Sequence, residues 1–158
     1  MASINGVSIK SLKTFASHDG CACLQGMVYL NGKRLGLWSQ DAWGGPDRFE
    51  FRESVLDEQL NSYKETNRVK PEYKDIFNLE MFLYELVKLA DREKEYKKSF
   101  KKGYQILAVA ENTMKRKSWS MLNEDVLKKN LQTIMQEKDN GFDVAIYRSL
   151  SDFDVSTM

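Results

Sequence analysis

Two aspartates, Asp41 and Asp47, bracket a Trp43-Gly44-Gly45-Pro46 segment. Facing carboxylates are what glycoside hydrolysis or metal-assisted chemistry requires, one group moving a proton while the other activates water or holds a cation. Upstream, His18 precedes Cys21 and Cys23. A histidine within reach of a cysteine is the minimal nucleophile pair, and these three side chains also offer nitrogen and sulfur to a metal.

Each constellation has a plainer account. Aspartates beside glycine and proline hydrogen-bond their own backbone and build turns. The Cys–His pair has only Asp19 or Asp41 as an orienting third group, and a metal would need more soft ligands than one histidine and two cysteines. His18 then reads as a polar turn residue followed by small strand residues, one of them buried, as free cysteines commonly are. The plainer accounts are preferred. No catalytic residue is assigned, and no metal or cofactor is expected. A phosphate-binding turn at Asn31-Gly32-Lys33-Arg34 is disfavoured too, because neither GxxxxGK[ST] nor GxGxxG occurs.

Charge narrows the classes further. The 158 residues carry a net +1, which argues against a generic nucleic-acid binder and against an acidic mimic of DNA. The distribution is uneven. Residues 88–118 hold ten Lys or Arg against four acids, while 53–86 hold eight acids against four bases. Lys94, Lys97, Lys98, Lys101, Lys102, Lys115, Arg116 and Lys117 are candidates to touch nucleic acid or an acidic surface, with Tyr96, Phe100 and Tyr104 interleaved as rings for stacking. The plainer account is a solvated helix end whose cations suit the helix dipole.

The tryptophans are the other candidate. By strand alternation Leu35 and Leu37 share one face, and Gly36, Trp38 and Gln40 share the other. If the leucines face the helices, Trp38 and with it Trp43 face outward or cover a second small cluster. The plainer account is that either ring closes the end of the sheet, but an outward tryptophan is the type most enriched in binding hot spots. Trp38, Gln40, Asp41, Trp43 and Arg48 are therefore expected to contact a partner.

These residues need elements to hold them. VSIKSLKTF alternates with a slip after Ile9 that implies a bulge. His18-Asp19-Gly20 makes a turn, and CLQGMVYL and KRLGLWSQ are strands joined by Asn31-Gly32, the pair a type I′ turn prefers. FEFR is a fourth strand. Ser54 to Asp57 has capping-box spacing and opens a helix to about Lys64. A longer helix is expected from Glu72 to Gly103, with Ile76, Leu79, Leu83, Leu86 and Ala90 as its apolar stripe. YQILAVA is a strand in the middle of a sheet, NTMKRKSWSM a strand or irregular segment, and Asn123 caps a helix that Asn140-Gly141 closes. FDVAIYRSL is a last strand, and SDFDVSTM is a tail or an edge. The expected class is α+β, a mostly antiparallel sheet of about five or six strands with three helices largely on one face. A single domain is expected over 1–158: a meander to 52, a helical pair to 102, and a strand-helix-strand segment.

Cys21 and Cys23 are only two apart on an extended chain, a spacing awkward for a mutual disulfide, and reduced thiols suit a cytoplasmic protein. The first residues lack the apolar core of a signal peptide, and no stretch approaches the ~20 apolar residues of a membrane span.

NGVSIKSLKTF, HDG and VYLNGKRLGLWSQDAWGGPDRFEF together resemble small accessory proteins of bacterial phages and conjugative elements, over the first third of the chain. The resemblance implies a neighbourhood in which single-domain proteins act by binding, several classes as inhibitors of host defence such as CRISPR nucleases. It implies no activity and no site residue. The expected function is thus a non-enzymatic protein that docks on a host protein, such as a defence nuclease or its nucleic-acid complex, as an anti-defence inhibitor. A single-stranded nucleic-acid module using 88–118 is the alternative, and a hydrolase built on Asp41, Asp47 and His18 is the second.

Overall fold

Alternation and turn chemistry set the first fifty residues. In the computed structural model, which describes residues 1–158, β1 (Ser3–Ile4), β2 (Val7–Ala16), β3 (Ala22–Leu30), β4 (Lys33–Ser39) and β5 (Arg48–Phe49) follow in order. Asn31-Gly32 takes φ of 49° and 80° between β3 and β4, the successive positive values of a type I′ turn. A 3-10 turn at Glu53–Leu56 precedes α1 (Asp57–Lys64), and a second one spans Pro71–Tyr73. Then come α2 (Leu79–Lys101), β6 (Ile106–Glu111), β7 (Arg116–Met121), α3 (Glu124–Gln136), β8 (Asp143–Tyr147) and, after a 3-10 turn, β9 (Asp154–Val155). The class is α+β, as the sequence pattern implies.

Two helix starts differ from expectation. The capping box at Ser54 does not form: no side chain caps either the 3-10 turn or α1. The long helix begins at Leu79 rather than Glu72, because Asn78 takes the capping role, its Oδ1 accepting the Met81 N–H at 3.0 Å. Ile76 is left outside the helix and exposed. Gly103 (φ 97°) ends α2 and Asn123 Oδ1 accepts from Val126 N at 3.1 Å at the start of α3, both as expected.

The residues group into two compact units, Met1–Leu89 with Asp154–Met158, and Ala90–Phe153. The first holds a six-stranded sheet of order β5-β4-β3-β2-β1-β9, antiparallel except for the parallel β1–β9 pair. The register of β2 against β3 shifts between Lys10 and Lys13, and Ser11 has φ of 56°. This is the bulge read from the sequence, and it lets Ile9 and Leu12 both cover Gly26. The core side of this sheet carries Val7, Val28 and Trp38, all fully buried, and the helical residues Leu56, Phe82, Leu83 and Leu86 are buried in the same unit. At its edge Asn5 holds the C-terminal segment, bonding Thr157 twice (2.7 Å each) and Gln59 O at 3.0 Å.

The second unit is built on a sheet of order β7-β6-β8, with β6 in the middle as expected. One side of β6, with Ile106 and Ala108, packs with Met121 and with Leu127 and Ile134 of α3. On the other side Glu111 and Tyr147 receive Arg92 from α2, at 2.8 Å and 3.0 Å. Helices thus lie on both faces of this sheet. No helix of the chain is long and apolar enough to cross a membrane.

Candidate functional site

The turn 17–21 and the loop 40–47 meet at one end of the meander. Ser17 N bonds Cys21 O at 2.7 Å and His18 N bonds Ala42 O at 2.7 Å, so the turn is tied to the loop. Within the loop Asp41 works on its own backbone, one carboxylate oxygen accepting from Trp43 N at 3.1 Å and the other from Gly45 N at 3.0 Å. Gln40 fastens the loop to β3 on both sides, its N–H donating to Leu24 O and its Oε1 accepting from Leu24 N, each 2.9 Å. The product is a fixed loop that holds Trp43 at 75% exposure, its ring stacked on His18 with centroids 4.0 Å apart and planes at 21°.

Trp38 requires a correction. It is fully buried, and its Nε1 donates to Asp47 Oδ2 at 2.8 Å. The alternation of β4 is as expected, with Gly36 opposite Val28 and Trp38 opposite Gly26, but the core lies on that side. The leucine side shares its rows with Lys10, Lys13 and Arg48, which no apolar core accepts. Trp38 is therefore no surface contact. Gly36 is necessary to the arrangement, because a Cβ there would collide with the carbonyl of Glu50 as the chain returns through β5.

The candidate catalytic groups are spoken for. Asp41 serves the loop amides and Asp47 the indole. Burial raises the Asp47 pKa, the Trp38 hydrogen bond opposes that, and the nearby Glu80 charge adds to it. Asp19 is held below the usual carboxylate range by the Ser17 hydroxyl and the Cys21 N–H. Its charge in turn pushes the Cys21 thiol up, the reverse of what a thiolate nucleophile needs. Cys23 is buried with Sγ 3.8 Å from Asp41 O, and both thiols are free. No three His, Cys, Asp or Glu side chains converge as a metal site. Arg48 is exposed on β5.

In the second unit the basic run is partly used internally. Arg116 pairs with Glu95, and Lys117 with Glu137 at 3.1 Å while also lying over the Phe142 ring. Lys97 sits 3.7 Å from Glu93. Tyr96 is buried, its hydroxyl donating to Arg148 O at 3.0 Å, so it cannot stack a base. Lys94, Lys98, Lys101, Lys102 and Lys115 remain exposed, with Phe100 beside them. A cleft of about 370 Å³ lined by Asn123, Glu124, Asp125 and Arg148 also opens here, but Glu124 already holds Arg148 at 2.6 Å.

Two features were not read from the sequence. The stack of His18 on Trp43 joins residues that only the hairpin brings together, so no local signal announces it. The solvent side of the meander, with Lys10, Lys13 and Tyr29, was available in the alternation of β2 and β3. Comparison of the chain with family models, curated proteins and solved structures finds no match.

Proposed function

We propose that this chain is a small non-enzymatic binding protein that docks on a protein partner through the Trp43 end of its meander. The observation that carries the proposal is the exposed Trp43–His18 stack on a loop whose backbone is fixed by Asp41. An exposed indole held in one place loses little side-chain freedom on binding, which is why tryptophan anchors dominate interface energetics. The engagement of Asp41 and Asp47 in local hydrogen bonds and the raised Cys21 pKa favour binding over catalysis. The resemblance of the first third to accessory proteins of mobile elements suggests a host defence protein as the partner and an anti-defence inhibitor as the role.

The test uses the full chain as bait in a bacterial host lysate, with Trp43→Ala and His18→Ala as comparisons. Trp43 is exposed, so its truncation should leave folding intact. A partner captured by the native chain and lost with Trp43→Ala supports the proposal. Undiminished capture by that variant would falsify it.

A further inference from the structure

The solvent side of the six-stranded sheet has a composition that the docking role of Trp43 does not explain. Pairing fixes which residues share it. One row runs from Lys10 through Met27 to Leu37, and the next from Lys13 through Gln25 and Ser39 to Arg48. Tyr29 and Arg34 stand opposite each other one step further along, and Phe15 stands opposite Cys23 at the far end. Lys10, Lys13, Arg34 and Arg48 are exposed, and Tyr29 and Phe15 are half-buried. Across β2, β3 and β4 no carboxylate shares the face. The acids that alternation brings to this side lie at its margins: Glu50 and Asp154 on the two outer strands, with Ser3 hydrogen-bonding Asp154, and Asp41 just beyond the end of β4, its carboxylate taken up by the Trp43 and Gly45 amides.

Four cations without a carboxylate among them repel one another, an arrangement that an anionic ligand relieves. Rings beside those cations, Tyr29 between Lys10 and Arg34 and Phe15 next along the strand from Lys13, narrow the ligand further. Phosphates satisfy the cations, while bases have flat faces for Tyr29 and Phe15; an acidic peptide offers only the first. Lys10 lies over the Tyr29 ring, Nζ 4.5 Å from its centroid, so ring and charge are at one place, and a base stacks on Tyr29 as Lys10 swings from the ring to a phosphate. A sheet face is also too shallow to embrace a duplex, whose bases are stacked inward, whereas an unpaired strand can lay its bases on it.

We infer that the solvent face of the meander binds single-stranded nucleic acid, with Lys10, Lys13, Arg34 and Arg48 on phosphates and Tyr29 and Phe15 under bases. This site is separate from the 88–118 run and independent of the protein contact made by Trp43.

Fluorescence anisotropy of labelled oligothymidylate and oligouridylate of about 20 nucleotides, with the full chain, tests it. Four phosphate contacts predict roughly a fifty-fold loss of affinity between about 50 and about 200 mM salt, and replacing two of them should halve the slope of log affinity against log salt. Lys10→Gln/Lys13→Gln and Arg34→Gln/Arg48→Gln are the two variant pairs, so a folding defect in one leaves the other as the measurement. Lys98→Gln/Lys101→Gln/Lys102→Gln should leave the slope unchanged. Binding to either probe with these slopes supports the inference. No binding at about 50 mM salt, where phosphate contacts are strongest, overturns it. So does an unchanged slope in both sheet variants, or equal affinity for polyglutamate, which would indicate an acidic protein surface as the ligand. None of these outcomes bears on capture of a protein through Trp43, so the two proposals fail separately.

Discussion

Asp47 Oδ2 accepts the indole N–H of Trp38 at 2.8 Å, and this hydrogen bond supplies the only polar need of the largest fully buried side chain in the protein. Removing the acceptor as Asp47→Ala should cost about 1–3 kcal/mol, the penalty of an unpaired buried donor, whereas Asp47→Asn keeps an oxygen in place and should cost less. The pH dependence separates the native carboxyl from both variants. The folded-state pKa of Asp47 is raised, chiefly by burial. The folded protein therefore holds that proton more tightly than the unfolded chain. The contribution to stability is full below the ordinary carboxylate pKa and declines as pH rises through the raised value. Urea denaturation across this acid range should show wild type losing stability relative to Asp47→Asn as pH rises, and a constant difference would contradict the assignment.

Asn5 is the second polar keystone. It sits at φ 51° and bonds Thr157 N, Thr157 Oγ1 and Gln59 O, tying the returning C-terminal segment and α1 to the first hairpin. Asn5→Ala loses these bonds and strains the backbone, for about 3 kcal/mol in all. Asn5→Gly loses the bonds but not the conformation, and should recover about 1 kcal/mol of that. Equal midpoints for the two variants in chemical denaturation would refute the backbone part.

What the sequence disclosed followed from local rules, and what it hid did not. The Asn31-Gly32 hairpin, the bulge after Ile9, the Asn123 cap and the Gly103 stop each rest on residues adjacent in the chain. The side of β4 that faces the core does not. Alternation separates Trp38 from Leu37, but only the neighbouring strands, with Lys10 and Lys13 on one side and Val7 and Val28 on the other, decide which is buried. The parallel pairing of β9 with β1 joins Ser3 to Asp154, and no local pattern anticipates it. The start of α2 was missed for a different reason. Periodicity carried the stripe back to Ile76, and the cap at Asn78 overrode it. Of the candidate site, the Trp43 loop and its aspartates were legible as a turn, while the His18 stack depended on pairing between strands.

In the second unit, Arg92 donates to Glu111 through Nε at 3.2 Å and Nη2 at 2.8 Å, and to the Tyr147 hydroxyl at 3.0 Å. Burial works against the guanidinium charge, and Tyr147 with Glu111 more than compensates, so its pKa is raised. Arg92→Met strands Glu111, a partly screened carboxylate, and should cost about 2 kcal/mol. Adding Glu111→Leu removes the stranded charge, so the double variant should be more stable than Arg92→Met alone. Additive losses in a double-mutant cycle would show that the pair does not interact.

The opposite fates of two neighbouring tryptophans can be read by fluorescence. Trp43 is 75% exposed and Trp38 fully buried, although they stand only five positions apart in the chain. A quencher that enters only from water, such as iodide, reaches Trp43 and not Trp38. Trp119 is half-buried, so the comparison is made in a Trp119→Phe background. There Trp43→Phe should remove most of the quenchable emission and, because the exposed ring only stacks against the surface at His18, shift the denaturation midpoint little: surface changes of this kind fall within about 0.5 kcal/mol. Trp38→Phe reverses the pattern. It leaves the quenchable fraction intact, but Asp47 loses its donor and the core loses part of an indole, at about 2–4 kcal/mol. Were Trp38→Phe to abolish the quenchable emission instead, the core would lie on the leucine side of β4. Lys10, Lys13 and Arg48 would then have to be buried with it, and their exposure argues that they are not.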